Sequence, residues 1–309
     1  MKCFKPKFWN KNQISIFSIL LMPVSFFVIF INFVKYSTTK KHNYSIPTIC
    51  VGNIYLGGTG KTPLCIELFS LLKIFNKKTV FIRKKYSSFE DEINLLKLTG
   101  PVYENKKRKI ALAEAIKNNA KIAILDDGFQ DFSIKKKISI ICFNEKQWIG
   151  NGLVIPSGPL RESLSALNRA NYVIINGNKN INIENDILKK NNKIKIFYSN
   201  YKPLNIEEFK NNQIIAFAGI GNPDNFFDLL KSHNVNMIEK ISFPDHYNYS
   251  SEELDNLINK AKKTQSTLLT TEKDFCRISE AYQKNIKCLK IKVNIKNKDK
   301  FIEEIKAII

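Results

Sequence analysis

The chain has 309 residues, 44% of them apolar: room for one large domain or two modest ones, and too much hydrophobic content for a disordered polymer. A formal net charge of +21 points to an anionic partner, such as nucleic acid, a phosphorylated substrate or an acidic membrane surface. The Lys and Arg are scattered and form no stripe with interleaved aromatics, which argues against nucleic acid, and runs such as Lys189-Lys190-Asn191-Asn192 fit a general bias toward Lys, Asn and Ile that adds charge without function.

Residues 14–34 are almost wholly apolar, with Lys2, Lys5, Lys7 and Lys11 before them and Lys35, Lys40 and Lys41 after. Roughly 20 apolar residues as helix cross a ~30 Å hydrocarbon core. A signal peptide has a shorter apolar core and a small-residue cleavage site, and Lys35-Tyr36-Ser37 is a poor one. Pro23 is expected to kink the helix. The segment either crosses the bilayer or is embedded in one leaflet, and positive charge at both ends leaves its orientation weakly specified. A buried core helix of this length is the bland alternative.

Residues 46–51 (IPTICV) predict a buried strand, followed by a glycine-rich turn and a helix. Next come a strand over TVFIRKKY, a short helix near 90–98, a helix near 109–119, and strands over KIAILDD, ISIICFN and YVIIN. Strands alternating with helices predict a parallel sheet covered on both faces. Residues 178–212, rich in Asn and Lys, read as a domain junction. From residue 213 the alternation restarts: strand IIAFAGI, a helix near 223–232, a strand near 237–242, a helix near 251–263, strands LLTT and CLKIKV, and a final helix. The predicted class is α/β: an N-terminal membrane-associated helix within residues 1–36, a P-loop NTPase-like parallel-sheet domain over 37–205, and a smaller C-terminal α/β domain over 206–309. Cys3, Cys50, Cys65, Cys142, Cys276 and Cys288 form no C-x-x-C pair and no zinc spacing, so they read as reduced thiols of a cytoplasmic protein.

Gly57-Gly58-Thr59-Gly60-Lys61-Thr62 lies between a predicted strand and a predicted helix, the context of a phosphate-binding loop. Glycines let the backbone turn tightly and aim N–H groups at phosphate oxygens, and a helix N-terminus favours anions. In that role the loop binds ATP, Lys61 reaches the β/γ-phosphates and Thr62 ligates Mg²⁺. Pro63 suits the first helical turn. Where the first glycine of G-x-x-x-x-G-K-[ST] is usual, this chain has Tyr55, and the nearest earlier glycine is Gly52. Asp126-Asp127 close the strand KIAILDD ahead of Gly128-Phe129-Gln130, the place where P-loop enzymes hold Mg²⁺. Asp also favours caps and turns, which is the bland reading.

Six blocks, in order, resemble the tetraacyldisaccharide 4'-kinase (lipid A 4'-kinase) family: VGNIYLGGTGKTP, LDDGFQ, NGLVIPSGPLRESLSALNRANYVIIN, AFAGIGNPDNFF, FPDHYNYS and LLTTEKD. Together they reach across nearly the whole chain. The resemblance implies two α/β domains with the active site in the cleft between them. It implies transfer of the γ-phosphate of ATP to the 4'-hydroxyl of a tetraacylated glucosamine disaccharide 1-phosphate, with ATP and Mg²⁺ as cofactors. That lipid A precursor and inner-membrane lipids are the implied partners, at the cytoplasmic face of a Gram-negative inner membrane. Nothing in the sequence points to nucleic acid or an obligate protein partner.

The resemblance also carries site residues. It places Glu162 with Thr62, Asp126 and Asp127 toward the metal. Arg161 beside it either meets phosphate, which suits a guanidinium, or forms a surface ion pair. It gives catalytic roles to Lys61, Asp91 and His246. Asp91, in Glu90-Asp91-Glu92-Ile93, would accept the hydroxyl proton, with His246 of FPDH orienting it or sharing the proton. The two fall in different predicted domains, so closure would have to bring them together. An ordinary acid in the first helical turn is the bland reading of Asp91. His42 and His233 lack motif context.

Three departures from the family pattern bear on the substrate side. Asp131 follows DDGFQ where the family has His. Ile82-Arg83-Lys84-Lys85-Tyr86 replaces a Ser-Arg-Gly-Tyr-Gly strand end, which leaves the role of Arg83 open. The stretch from there to Asp91 is short. A membrane-anchored P-loop ATPase without lipid phosphorylation is the rival reading, and a non-catalytic nucleotide-binding protein is another. The joint presence of Lys61, Thr62, Asp91, Asp126, Asp127 and His246 argues against the latter.

Overall fold

A computed structural model describes residues 6–10, 14–85 and 90–309. Lys2, Cys3, Lys5, Lys11 and Tyr86, named above, lie outside the described residues. In chain order the helices and strands are α1 (Ile16–Thr38), β1 (Thr48–Gly52), α2 (Lys61–Leu72), β2 (Thr79–Lys84), α3 (Glu90–Lys97), β3 (Val102–Asn105) and α4 (Arg108–Lys117). Then come β4 (Ile122–Asp126), β5 (Ile138–Asn144), β6 (Tyr172–Asn176), α5 (Ile181–Lys190), β7 (Lys195–Pro203), β8 (Ile214–Ala218), α6 (Pro223–Ser232) and β9 (Met237–Ser242). The chain ends with α7 (Ser251–Lys263), β10 (Thr267–Thr271), α8 (Glu272–Phe275), α9 (Glu280–Gln283), β11 (Lys287–Leu289), β12 (Ile291–Ile295) and α10 (Lys298–Lys306).

The chain groups into two compact units. Among the described residues, the first unit holds those up to 85, 99–200 and 294–309, and the second holds 90–98 and 201–293. The sequence suggests one break near residue 205. Instead, residues 90–98 join the second unit and the C-terminal residues 294–309 join the first.

The first unit carries an eight-stranded sheet in the order β12-β7-β6-β5-β1-β4-β2-β3. From β7 to β3 every neighbouring pair is parallel. β1, β4 and β5 are buried along their whole length, as a parallel sheet covered on both faces requires. Val51 of β1 pairs with Asp126 of β4, so the two strands end level with each other. The final helix packs here: Phe301 is fully buried, with its ring 6.0 Å from Tyr172 and 5.0 Å from Phe197.

α1 docks on this unit through one polar stripe. Ser18, Ser25 and Asn32 are seven residues apart and share a face. Asn151 Nδ2 donates to Ser18 Oγ (3.2 Å), Ser25 Oγ donates to the Val154 carbonyl (2.8 Å), and Asn32 Nδ2 donates to the Arg161 carbonyl (3.2 Å). The remaining circumference exposes Phe17, Leu20, Phe26, Phe27, Phe30 and Phe33. α1 runs unbroken through Pro23 and is long and apolar enough to cross a membrane.

The second unit has a four-stranded parallel sheet in the order β11-β10-β8-β9. Phe226, Phe227 and Leu230 of α6 join one core cluster. Leu254, Leu257, Ile258 and Ala261 of α7 join another, at helical spacing. A capping box between Ser250 and Glu253 starts α7. α3 packs on α8.

Candidate active site

The first centre lies at the ends of β1 and β4. Gly57, Gly58 and Gly60 take φ of 75°, 66° and 83°, the left-handed conformation that only glycine adopts freely. Gly60 caps α2. Left-handed residues ahead of a helix N-terminus form a nest suited to phosphate. Asn53 Nδ2 donates to Thr59 Oγ1 at 2.8 Å and fastens the loop. Tyr55 is buried and bridges Leu160 in antiparallel fashion. Its ring joins a small cluster with Val154 and Leu160 against Val28 of α1, so this position needs a side chain and no glycine. The residue that needs room is Gly52, where a Cβ would lie 2.5 Å from Phe129 Cβ.

Asp126 is wholly buried. Thr62 Oγ1 donates to its Oδ2 at 3.2 Å, and Arg83, from β2, forms a close ion pair with the same oxygen. Asp127 takes φ of 52°. Arg161 Nη1 reaches both of its carboxylate oxygens, at 2.9 and 3.1 Å, and Lys61 Nζ lies 3.7 Å from Oδ1. Burial pushes the Asp127 carboxyl up, but the charges of Lys61 and Arg161 outweigh it and hold it at about 2. Glu162 is nearly buried; Gln130 Nε2 donates to its Oε1 (3.0 Å) and Arg169 Nη2 to its Oε2 (2.7 Å). Arg108 Nη2 donates to the carbonyls of Asp126 (3.2 Å) and Asp127 (2.7 Å).

Arg83 is thus part of the site despite its altered surroundings in the sequence; Arg108 is an addition outside every quoted motif, and Arg169 lies inside one of the six blocks, where the resemblance gives it no role. The signal for Arg83 is its place near the end of a strand that flanks β4. Asp131 accepts from Ser133 N (3.1 Å) and Oγ (2.6 Å) and lies 3.7 Å from Arg108 Nη1, so it closes a local turn.

The donors here are hard oxygens, the kind Mg²⁺ takes, and Thr62 Oγ1 sits beside the Asp126 carboxylate. Among the described residues no three His, Cys, Asp or Glu side chains form a ready cage. Mg²⁺ needs none when nucleotide phosphates supply most of its ligands.

The second centre lies wholly within the second unit, at the ends of β8, β9 and β10. Asp91, on α3, is 3% exposed. His246 Nδ1 lies 3.3 Å from Asp91 Oδ2, and Arg277 Nε donates to that oxygen at 2.9 Å. Lys273 Nζ lies 2.9 Å from Glu92 Oε1, 3.3 Å from Asp245 Oδ1 and 3.2 Å from His246 Nε2. A carboxylate at Nδ1 and an ammonium at Nε2 are both satisfied when the ring carries its proton on Nδ1. Burial pushes the Asp91 carboxyl up, but the His246 hydrogen bond and the charges of Lys273 and Arg277 prevail and hold it at about 2. Burial opposes the Lys273 charge too, and Glu92, Asp245 and Asp91 outweigh it and raise its pKa. Arg277 Nη1 also donates to the Gly219 carbonyl (3.0 Å) and to Asp274 Oδ1 (3.1 Å). A Cβ on Gly219 would lie 2.9 Å from the Tyr249 hydroxyl oxygen.

Asp91 and His246 therefore need no closure of one domain on another to meet, contrary to the sequence expectation. The reason is that α3, early in the chain, packs on α8 of the second unit.

The LpxK family model, Tetraacyldisaccharide-1-P 4'-kinase, matches residues 17–309. A tetraacyldisaccharide 4'-kinase of Pelagibacter ubique is 43% identical over 96% of this chain and 95% of that protein. One of Rickettsia bellii is 34% identical over 99% of this chain and 98% of that protein. The crystal structure of the "apo" form of LpxK from Aquifex aeolicus in complex with ATP superposes with a TM-score of 0.71 at 25% identity, covering 94% of this chain and 99% of that one.

Proposed function

Because the chain belongs to the tetraacyldisaccharide-1-P 4'-kinase family, we propose that it transfers the γ-phosphate of ATP to the 4'-hydroxyl of a tetraacylated glucosamine disaccharide 1-phosphate in lipid A biosynthesis. The observation that carries the reading is the glycine nest with Lys61 and Thr62 set beside Asp126 and Asp127. Lys61 and the loop N–H groups bind the ATP phosphates. Thr62, Asp126, Asp127 and Glu162 would hold Mg²⁺, which neutralises charge on the phosphate oxygens when bound. Arg161 orients Asp127, and Arg83 fixes Asp126.

In the second centre the roles expected from the sequence are exchanged, because Asp91 Oδ2 already faces Arg277 Nε and His246 Nδ1: His246 Nε2 takes the hydroxyl proton as the new O–P bond forms and ADP leaves. Asp91 holds the ring through Nδ1 and stabilises its positive charge, as the carboxylate does in a Ser-His-Asp triad. Lys273 releases Nε2 by falling back on Glu92 and Asp245.

α1 supports placement at a membrane, which we assign to the cytoplasmic face of the inner membrane. Its polar stripe is occupied at Ser18, Ser25 and Asn32 by the unit's own loop. A helix so covered along ~20 Å at 1.5 Å per residue cannot stand across a bilayer without taking polar backbone with it. It lies in the interface with its apolar face in one leaflet, where an acylated substrate also resides.

The test is transfer of label from γ-labelled ATP, with Mg²⁺, to a tetraacyl disaccharide 1-phosphate in detergent micelles. Label in the lipid supports the reading. Phosphate released to water with none in the lipid favours the ATPase alternative.

A further inference from the structure

We propose that Arg169 is a positioning residue that fixes the Glu162 carboxylate and ties it to the anchor helix α1; this rests on the reading of Glu162 as part of the Mg²⁺–nucleotide site. Arg169 ends the 3₁₀ turn Leu164–Arg169. Its Nη2 donates to Glu162 Oε2 at 2.7 Å, while Gln130 Nε2 donates to Oε1 at 3.0 Å and to the Asn53 carbonyl at 2.9 Å. Both oxygens are therefore oriented, and each keeps a lone pair for a further partner.

The same guanidinium is surrounded by rings. Its Cζ lies 4.7 Å from the centroid of Phe129, 5.0 Å from Phe132 and 5.1 Å from Tyr36, all within cation–π range. Phe129 and Phe132 flank Gln130 in the loop after Asp126-Asp127. Tyr36 stands in the last turn of α1, edge-on to Phe132 at 5.2 Å, with Lys41 Nζ 4.2 Å from its centroid. One cation thus touches the anchor helix, the acidic loop and Glu162. A planar guanidinium can stack on rings and bond a carboxylate at once, and a lysine ammonium cannot reproduce that geometry. Seating α1 at the membrane surface therefore bears on Glu162 through Tyr36 and Arg169.

The full-length chain in detergent micelles is titrated with Mn²⁺ in the presence of ADP, free Mn²⁺ being read by electron paramagnetic resonance. Metal-free ADP affinity and the unfolding temperature are measured alongside. Glu162→Gln is expected to weaken Mn²⁺ binding at least as much as Arg169→Gln, and Arg169→Gln by ~10–100-fold, the range for a lost outer-sphere partner, with metal-free ADP affinity unchanged. Arg169→Lys should restore little of it, and Tyr36→Leu should shift it several-fold in the same direction. If Glu162→Gln weakens Mn²⁺ binding and Arg169→Gln and Arg169→Lys do not, the positioning role is overturned while the reading of Glu162 stands. If Glu162→Gln also leaves binding unchanged, that reading falls and takes the proposal with it. A lowered unfolding temperature with normal Mn²⁺ binding makes Arg169 purely structural, and a silent Tyr36→Leu overturns the link to α1.

Discussion

Replacing His246 by Gln tests which group of the second centre takes the proton. Against the pull of burial, the His246 hydrogen bond and the charges of Lys273 and Arg277 hold Asp91 at about 2, so it stays ionised at neutral pH. Such a carboxylate is a weak acceptor and a strong counter-charge. His246→Gln removes the base and is expected to lower kcat ~10²–10⁴-fold with KM for ATP little changed, because the phosphate-binding residues belong to the first unit. Asp91→Asn keeps the imidazole but removes the charge that supports it, so kcat falls as well. The assay is label transfer to lipid in micelles from pH 5 to 9. A group held at about 2 contributes no acidic limb in that window. A His246→Gln enzyme that keeps most of its turnover refutes the assignment. Stability gives an independent check. A carboxyl depressed from 3.8 to about 2 contributes ~2 kcal/mol that is fully present above pH ~4 and lost as pH falls through 2. Asp91→Asn should therefore destabilise at neutral pH and far less at pH 2.

Lys61→Ala should abolish transfer to lipid, because the developing phosphate charge loses its partner; near-normal turnover would remove the phosphate-loop assignment. Arg83→Met leaves the fully buried Asp126 without the guanidinium that pairs with it, and breaking such a pair costs ~3–5 kcal/mol. A thermal or denaturant transition at the wild-type position would show that Arg83 does not carry that charge. For α1, cysteines placed singly at Phe17, Phe26 and Phe33 in an otherwise cysteine-free, vesicle-bound chain should all resist a membrane-impermeant thiol reagent added from one side, and a fluorophore attached beforehand at each should be quenched by shallow spin labels. Graded depth from Phe17 to Phe33 would instead indicate a spanning helix.

What the sequence reveals follows from how local each signal is. The phosphate loop is legible because its chemistry needs contiguous residues in a strand–turn–helix context, and Asp126-Asp127 are legible because they close an apolar strand. The loss of the first loop glycine at Tyr55 misleads until its bridge to Leu160 is seen. Residues 178–212 read as a junction because Asn and Lys mask α5, where only Ile183 and Ile187 are buried, and β7, which buries few positions. CLKIKV reads as one strand but breaks at Lys290: β11 completes the second sheet and β12 the edge of the first. The roles of the Arg residues are hidden for a different reason. Arg83 stands near a strand end and Arg169 inside a motif block, but they and Arg108 are single charges with no periodicity, and what each one pairs with cannot be read from its neighbours in sequence. The link from Arg277 to Asp91 spans 186 residues, a separation over which no pattern in one chain reports.

The two centres solve one problem in the same way. Among the described residues, eight non-glycine positions take positive φ, and four are Asn, which tolerates the left-handed region through its short polar side chain. Asp127 and His246 are two of the others, at 52° and 57°; Asp127 directly follows β4, and His246 lies four residues beyond β9. Each is pinned by its own N–H: Asp127 to the Val51 carbonyl at 2.9 Å, His246 to the Gly219 carbonyl at 3.1 Å. Such a conformation costs of order 1 kcal/mol or more and persists only where the surroundings over-determine it. Asp127 is further gripped by Arg161 and Lys61, and His246 by Asp91 and Lys273. The strain turns a side chain out of the strand direction at the carboxyl end of the sheet, where ligands of open α/β sheets bind. The surrounding cations keep it there, so the same charges that set the carboxylates near 2 also hold the two strained residues in place.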